Sequence, residues 1–410
     1  MPSIKPLTNQ PRGSLTGLES AVPGWRRFSR RPAGITVLAV VLGLAACQLL
    51  ASSGYARVDT AQKERPEGEG RPGVRLVGKP ETKPEVIGAY LSLGYWHPLD
   101  VDRTFAELSE CGVNLVIDYA LSAPEDDGWS AEFQHYLDSA REHGIGVAFS
   151  LKDMLVGARP DNASDYTQRV LLVVRRLKDQ PGITAWYVHD EILPSVSGMD
   201  GTTQYCLTLE QMTSLYRRIH AADPSRPQLC VWNFLPDYET FKLVCMPHMT
   251  YGTPRWTRDA ESYEAGLATL LQGACDWVLI DSYPVGAPWR ETPEQPCEDV
   301  VATMISRAAS LKRADQPLYF VFQAMSWAQY VPEQAAGAPF PTADETLRML
   351  DAAHRGGASG AIAYSWFDLT DPAPDKAIPG QEQALADLKS TLHGLAAQGW
   401  PETEQTGAGG

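Results

Sequence analysis

Cysteine is scarce in this chain, with seven in 410 residues. That is far too few for a scaffold built on disulfides. Basic charge is also thin: 35 Lys and Arg face 50 Asp and Glu, a formal balance of −15. Nucleic-acid binders carry a basic balance or stripe, so this deficit argues against nucleic acid as a partner. Several short motifs are missing as well. There is no Gly-x-Ser-x-Gly elbow, no Walker phosphate loop and no Cys-x-x-Cys pair. Without them, the usual signs of a serine hydrolase, a nucleotide site and a zinc site are absent, and no cofactor or metal is expected. What remains is ordinary globular composition: 44% hydrophobic and 21% charged residues, with 34 Gly and 31 Pro. Collagen, coiled coil and wholesale disorder are excluded.

The charge is unevenly spread. Residues 1–33 hold Lys5, Arg12, Arg26, Arg27, Arg30 and Arg31 against the single acid Glu19, a balance of +5, which leaves −20 on the rest. This basic segment stands directly before the one long apolar run, Ile35–Leu50. Positive charge stays cytoplasmic, so the pattern predicts export of everything after residue 56 and a membrane-tethered, extracytoplasmic protein. Three forms of export compete. Leu44-Ala45-Ala46-Cys47 looks like a lipobox, with Cys47 as the lipidated residue. Residues 34–56 also reach the roughly 20 residues that span a bilayer uncleaved. Cleavage near Gly54-Tyr55-Ala56 is the third. A buried core helix fits the flanking charge less well. Residues 57–84 are polar and broken by Pro and Gly, as in a flexible linker. Residues 398–410 look like a frayed tail.

Between them, residues 85–397 alternate short apolar runs with amphipathic segments, the pattern of parallel α/β folds. Strands are expected at Val86–Trp96, Val113–Tyr119, Gly146–Leu151, Ile183–Glu191, Gln228–Phe234, Trp277–Tyr283, Leu318–Ala324 and Gly360–Asp368. The clearest helices are Val101–Cys111, Ala131–His143, Ser164–Lys178, Leu209–Ala221, Val300–Lys312, Ala343–Arg355 and Gln381–His393. Eight strands separated by helices fit an α/β (β/α)8 TIM barrel. An open doubly wound sheet would carry a Gly-rich turn after strand one. Here strand one ends Leu93-Gly94-Tyr95-Trp96-His97, and glycines instead precede strands (Gly112, Gly144, Gly182, Gly360), the position where helices stop.

In a barrel the chemistry lies at the C-terminal ends of the strands. Those ends are acidic and aromatic: Trp96, Asp118-Tyr119, Lys152-Asp153, His189-Asp190-Glu191, Trp232-Asn233, Asp281-Ser282-Tyr283, Gln323 and Ser365-Trp366-Phe367-Asp368. Strict alternation along strand four puts Trp186 and Val188 under the helices and Tyr187, His189 and Glu191 in the barrel mouth. A carboxyl group walled by aromatics has a raised pKa, as a general acid near neutral pH requires. Trp96, Trp232, Tyr283, Trp289, Trp327 and Trp366 would serve as flat platforms for sugar faces, each with core packing as the plain alternative.

The segments Trp186-Tyr187-Val188-His189-Asp190-Glu191, Asp276–Pro284 and Gly360–Asp371 resemble the strand ends of glycoside-hydrolase barrels, broadly those of clan A. The resemblance implies an acid/base Glu at the end of strand four, which is Glu191. It also implies a nucleophilic Glu at the end of strand seven, where this chain has Gln323. An amide cannot play that part. The residue before the acid is usually Asn in that clan; here it is Asp190. Three repairs are open. The enzyme could invert, with Asp281, or after it Asp368 or Asp118, activating water. The substrate could assist, as in chitinase-type barrels, which also carry a strand-eight Trp like Trp366. Or hydrolysis is lost and sugar binding kept. The catalytic candidates are therefore Glu191, Asp281 and Asp190. Trp96, Asp118, His189, Trp232, Asn233, Tyr283, Gln323, Trp366 and Asp368 are candidates for holding a carbohydrate. The rival function is a non-catalytic carbohydrate-binding or cell-envelope protein on the same barrel.

Overall fold

The computed structural model describes residues 83–93, 98–119, 121, 130–191, 193–196, 206–233, 235–249, 254–288, 295–370 and 376–402. The basic segment, the apolar run with Cys47, the linker up to residue 82, Trp96, Trp289 and residues 403–410 lie outside them.

Eight parallel strands close on themselves in sequence order, a (β/α)8 barrel. They are β1 Val86–Leu91, β2 Leu115–Asp118, β3 Gly146–Ser150, β4 Ile183–Asp190, β5 Gln228–Trp232, β6 Trp277–Ser282, β7 Leu318–Gln323 and β8 Gly360–Tyr364. The ring shuts where Val86 to Ala89 pair with Gly360 to Ala363. The long helices are α1 Pro98–Glu110, α2 Ala131–Glu142, α3 Ala163–Leu177, α4 Leu209–Ala222, α5 Ala260–Gly273, α6 Cys297–Leu311, α7 Ala343–Arg355 and α8 Gln381–Gln398. Short helical turns such as Tyr238–Val244 and Phe367–Thr370 fill the links. Local chemistry marks the starts: Ser130, Asp259 and Thr342 cap α2, α5 and α7, and Thr208 with Gln211 forms a capping box on α4.

Strand alternation sorts the core into two layers. Tyr90, Ile117, Tyr187, Val231, Leu279 and Val321 fill the barrel interior. Val116, Phe149, Trp186, Cys230, Ile280 and Phe320 belong to the larger layer between strands and helices. The glycines before strands divide by cause. Gly112 and Gly144 stop helices with φ of +81° and +73°. Gly182 and Gly360 have no such backbone; a Cβ there would lie 2.8 Å from Leu137 Cβ and 2.7 Å from Tyr319 Cδ1. They are glycines because neighbours press on them. Cys111, Cys206, Cys230, Cys245, Cys275 and Cys297 are all buried. Among the described residues, no helix is long and apolar enough to cross a membrane.

Candidate active site

The site begins with an irregularity in β4. Its pairing with β5 shifts register between Tyr187 and His189, so that His189 pairs with Cys230 and Asp190 with Val231. Cys230 faces the helices and Val231 the interior. One extra residue has reversed the alternation, as a β-bulge does. Tyr187 therefore points inward as strict alternation predicts, but His189 does not. It is fully buried under the helices, where burial lowers its pKa to about 3 and keeps it neutral. Asp190, expected on the outer face, turns into the mouth instead.

Glu191 leaves the strand with a left-handed backbone, φ +53°, while its amide donates to the Val231 carbonyl at 2.9 Å. A non-glycine residue in that conformation is uncommon and collects at functional sites. Its carboxyl group is a close neighbour of that of Asp281, which points inward from β6. Burial raises the Glu191 pKa well above the ordinary range, and the charges of Asp281 and Asp190 add to it. Asp281 is 2% exposed, and burial pushes it up to about 6 even though the neighbouring Glu191 and Tyr283 favour its charge. Burial thus favours the protonated form of both carboxyl groups, which titrate as a pair.

Beside this pair lies a second one. The Lys152 ammonium sits 3.3 Å from Asp190 Oδ2 and 3.3 Å from Asp153 Oδ1. Burial works against its charge, but the two aspartates outweigh burial and raise its pKa. It also lies 4.6 Å above the Tyr119 ring. The Tyr187 hydroxyl donates to Asp190 Oδ1. Tyrosines wall both pairs. The Tyr90 ring is 5.2 Å from those of Tyr119 and Tyr364, and Tyr283 stacks on Tyr364 at 5.1 Å. Tyr119, Tyr283 and Tyr364 are each partly exposed, so their faces can be reached.

Several other expected residues stand elsewhere. Asp118 faces the helices and accepts from the Tyr136 hydroxyl at 2.9 Å. Trp232 and Trp366 are 1% and 2% exposed in the outer core, so neither offers an open face to a ligand. Asn233 is half-buried just past β5. Asp368 is buried behind the tyrosines, accepting from Tyr330 and Ser365. Burial raises its pKa, against those bonds and nearby Lys376. Gln323 does point inward from β7, but both sides of its amide are taken up by backbone. Lys152 and Tyr90 also belong to this site, though strand-end position alone does not single them out. The visible signal was the recurring tyrosine at inward positions of β1, β4 and β8 and just after β2 and β6.

These positions allow a proton to be delivered from Glu191 to a group bound under the tyrosines.

No family model matches the chain, and no curated protein matches it. Among solved structures it is similar to a candidate alpha-L-fucosidase from Bacteroides thetaiotaomicron, at 10% identity and a TM-score of 0.49 over 80% of this chain and 99% of that one. It is similar to an endo-1,4-beta-mannanase from Rhizomucor miehei, at 12% identity and 0.47 over 79% and 98%. A family 5 glycoside hydrolase from Bacteroides vulgatus gives 12% and 0.47 over 76% and 66%. Likeness at this level says nothing about reaction or substrate; the barrel itself is shown by its closed ring of eight parallel strands.

Proposed function

We propose that this barrel binds a carbohydrate in its tyrosine-walled mouth and cleaves a glycosidic bond with Glu191 as general acid. The observation that carries this is the Glu191–Asp281 pair. A carboxyl group that keeps its proton near neutral pH, beside a carboxylate that can take it back, is what protonating a leaving oxygen requires. Asp281 is then the proton's partner and the negative charge that steadies an oxocarbenium-like transition state. Asp190, held by Lys152 and Tyr187, offers a fixed acceptor for a sugar hydroxyl. Attack on the sugar then comes from water activated by Asp281 or from the substrate's own neighbouring group.

Chromogenic glycosides offered to the full chain test this. Glu191→Gln should lower turnover by about 10²–10⁴-fold with an unchanged circular-dichroism spectrum. Equal turnover in that variant would sink the assignment. A second function, carbohydrate binding without cleavage, is favoured by one observation: Gln323 fills the strand-seven position with an amide committed to backbone. It predicts saturable binding of sugars with no turnover in any variant. Export and tethering through Cys47 or the apolar run are part of the same proposal, and mass spectrometry of the mature N-terminus decides among their forms.

A further inference from the structure

The mouth already holds one ammonium group, and the way it is held shows what the rest of the mouth fits. Lys152 lies just past β3, buried, with its Nζ over the ring of Tyr119 at 4.6 Å and over that of Tyr187 at 5.9 Å. Asp190 and Asp153 each stand 3.3 Å from it. Ring faces and carboxylates attract a cation together. These supports occupy the side of the mouth built by β2, β3 and β4.

The opposite side, built by β6 and β8, carries supports of the same two kinds. Tyr283 stacks on Tyr364 at 5.1 Å, and Tyr90 meets Tyr364 edge-on at 5.2 Å. Tyr283 and Tyr364 are partly exposed. Asp281 precedes Tyr283 by two residues on the inward face of β6, opposite Val321 of the interior layer. It is 2% exposed, yet its Oδ1 has no hydrogen-bond partner among the described residues. A buried acceptor without a donor is costly, and a charged one more so. Lys152 forms its ion pairs with Asp190 and Asp153, not with Asp281.

We propose that the sugar taken by this mouth is an amino sugar with a free amine, whose ammonium lies against Tyr283 and Tyr364 and donates to Asp281. A hydroxyl could donate to the same oxygen, but it has no charge for the ring faces to attract. An ammonium answers both supports at once, as Lys152 does across the mouth. A ligand carboxylate or phosphate is disfavoured, because Asp190, Glu191 and Asp281 would surround it with like charge. The inference rests on the reading that the mouth binds carbohydrate and names the kind.

The test is calorimetric titration of the full chain at about pH 6, where an amine is charged. The probes are two tetrasaccharides that differ only at nitrogen, one of glucosamine units and one of the same units N-acetylated. A tetralysine peptide measures attraction to the acidic surface alone. The glucosamine tetramer should bind at least about tenfold more tightly than either of the others. Asp281→Asn should bring the ratio between the two sugars close to one. Tyr283→Leu, which removes one ring face, should narrow that ratio by about threefold and stands in if Asp281→Asn does not fold. Overturning results are equal affinity for the two sugars, tighter binding of the N-acetylated one, an equal hold on tetralysine, binding of neither sugar, or a preference that Asp281→Asn leaves unchanged. If the amine is preferred but no glycoside is cleaved, the inference stands and the proposed reaction falls; turnover of neutral glycosides with no preference for the amine gives the reverse.

Discussion

One atom separates an amide from a carboxylate at position 323, and the surroundings accept only the amide. Gln323→Glu would look like the repair of a missing nucleophile. The side chain's hydrogen bonds argue otherwise, because the new carboxylate faces the Val285 and Met325 carbonyls. We expect this variant to lose about 1–3 kcal/mol of stability, the cost of a buried group left unsatisfied, and to gain no turnover. Urea unfolding with a glycoside assay checks both, and a gain in turnover would mean that the position lacks only its nucleophile. Glu191 shows the same dependence on neighbours. Its identity suits many roles; its left-handed backbone and place beside Asp281 are what support the proposed one.

At the scale of single elements, alternation was readable in β6, where Asp281 and Tyr283 face inward, and in β8, where Tyr364 does. It failed in β4 because a bulge adds a residue without any composition of its own. Trp186-Tyr187-Val188-His189-Asp190 reads as an unbroken strand, yet His189 and Asp190 exchange faces. Trp232 and Trp366 misled for a related reason. A tryptophan at a strand end is a platform or a packing piece according to parity, and both fall on the outer parity. Trp232→Ala should therefore cost about 3–5 kcal/mol of stability. At a temperature where it remains folded, its KM for any accepted glycoside should match wild type; a large rise in KM alone would return Trp232 to the mouth. Helix α5 escaped the clear helical patterns because Ala, Gly and Leu surround it and leave little polar contrast, whereas α7 shows a clean stripe.

Across the whole molecule, opposing protons shape the pH response. His189 is neutral in the fold down to about pH 3 but titrates near 6.5 when unfolded. Its contribution is present above 6.5 and lost as pH falls towards 3. Glu191 runs the other way. Its pKa is raised, so its protonated form is favoured in the fold, and stability declines as pH climbs from its ordinary value towards its raised one. Relative to Glu191→Gln, the wild-type unfolding free energy from urea melts should fall as pH rises above the ordinary carboxylate range, with a slope of at most about 1.4 kcal/mol per unit per proton. Glu191→Gln should flatten that fall, and an unchanged slope would show that Glu191 does not hold its proton. The ring closure described above has a consequence for synthesis. The strand made first and the strand made last lie side by side, Val86 against Gly360. Just beyond, Lys389 of α8 reaches Glu107 of α1 at 2.9 Å. A growing chain emerging N-terminus first can form helices and neighbouring strand pairs, but its seam waits for the final helix. The last step of assembly then joins the first and last strands of the barrel across the longest separation within it, so folding rate should depend on α8 more than on any internal helix.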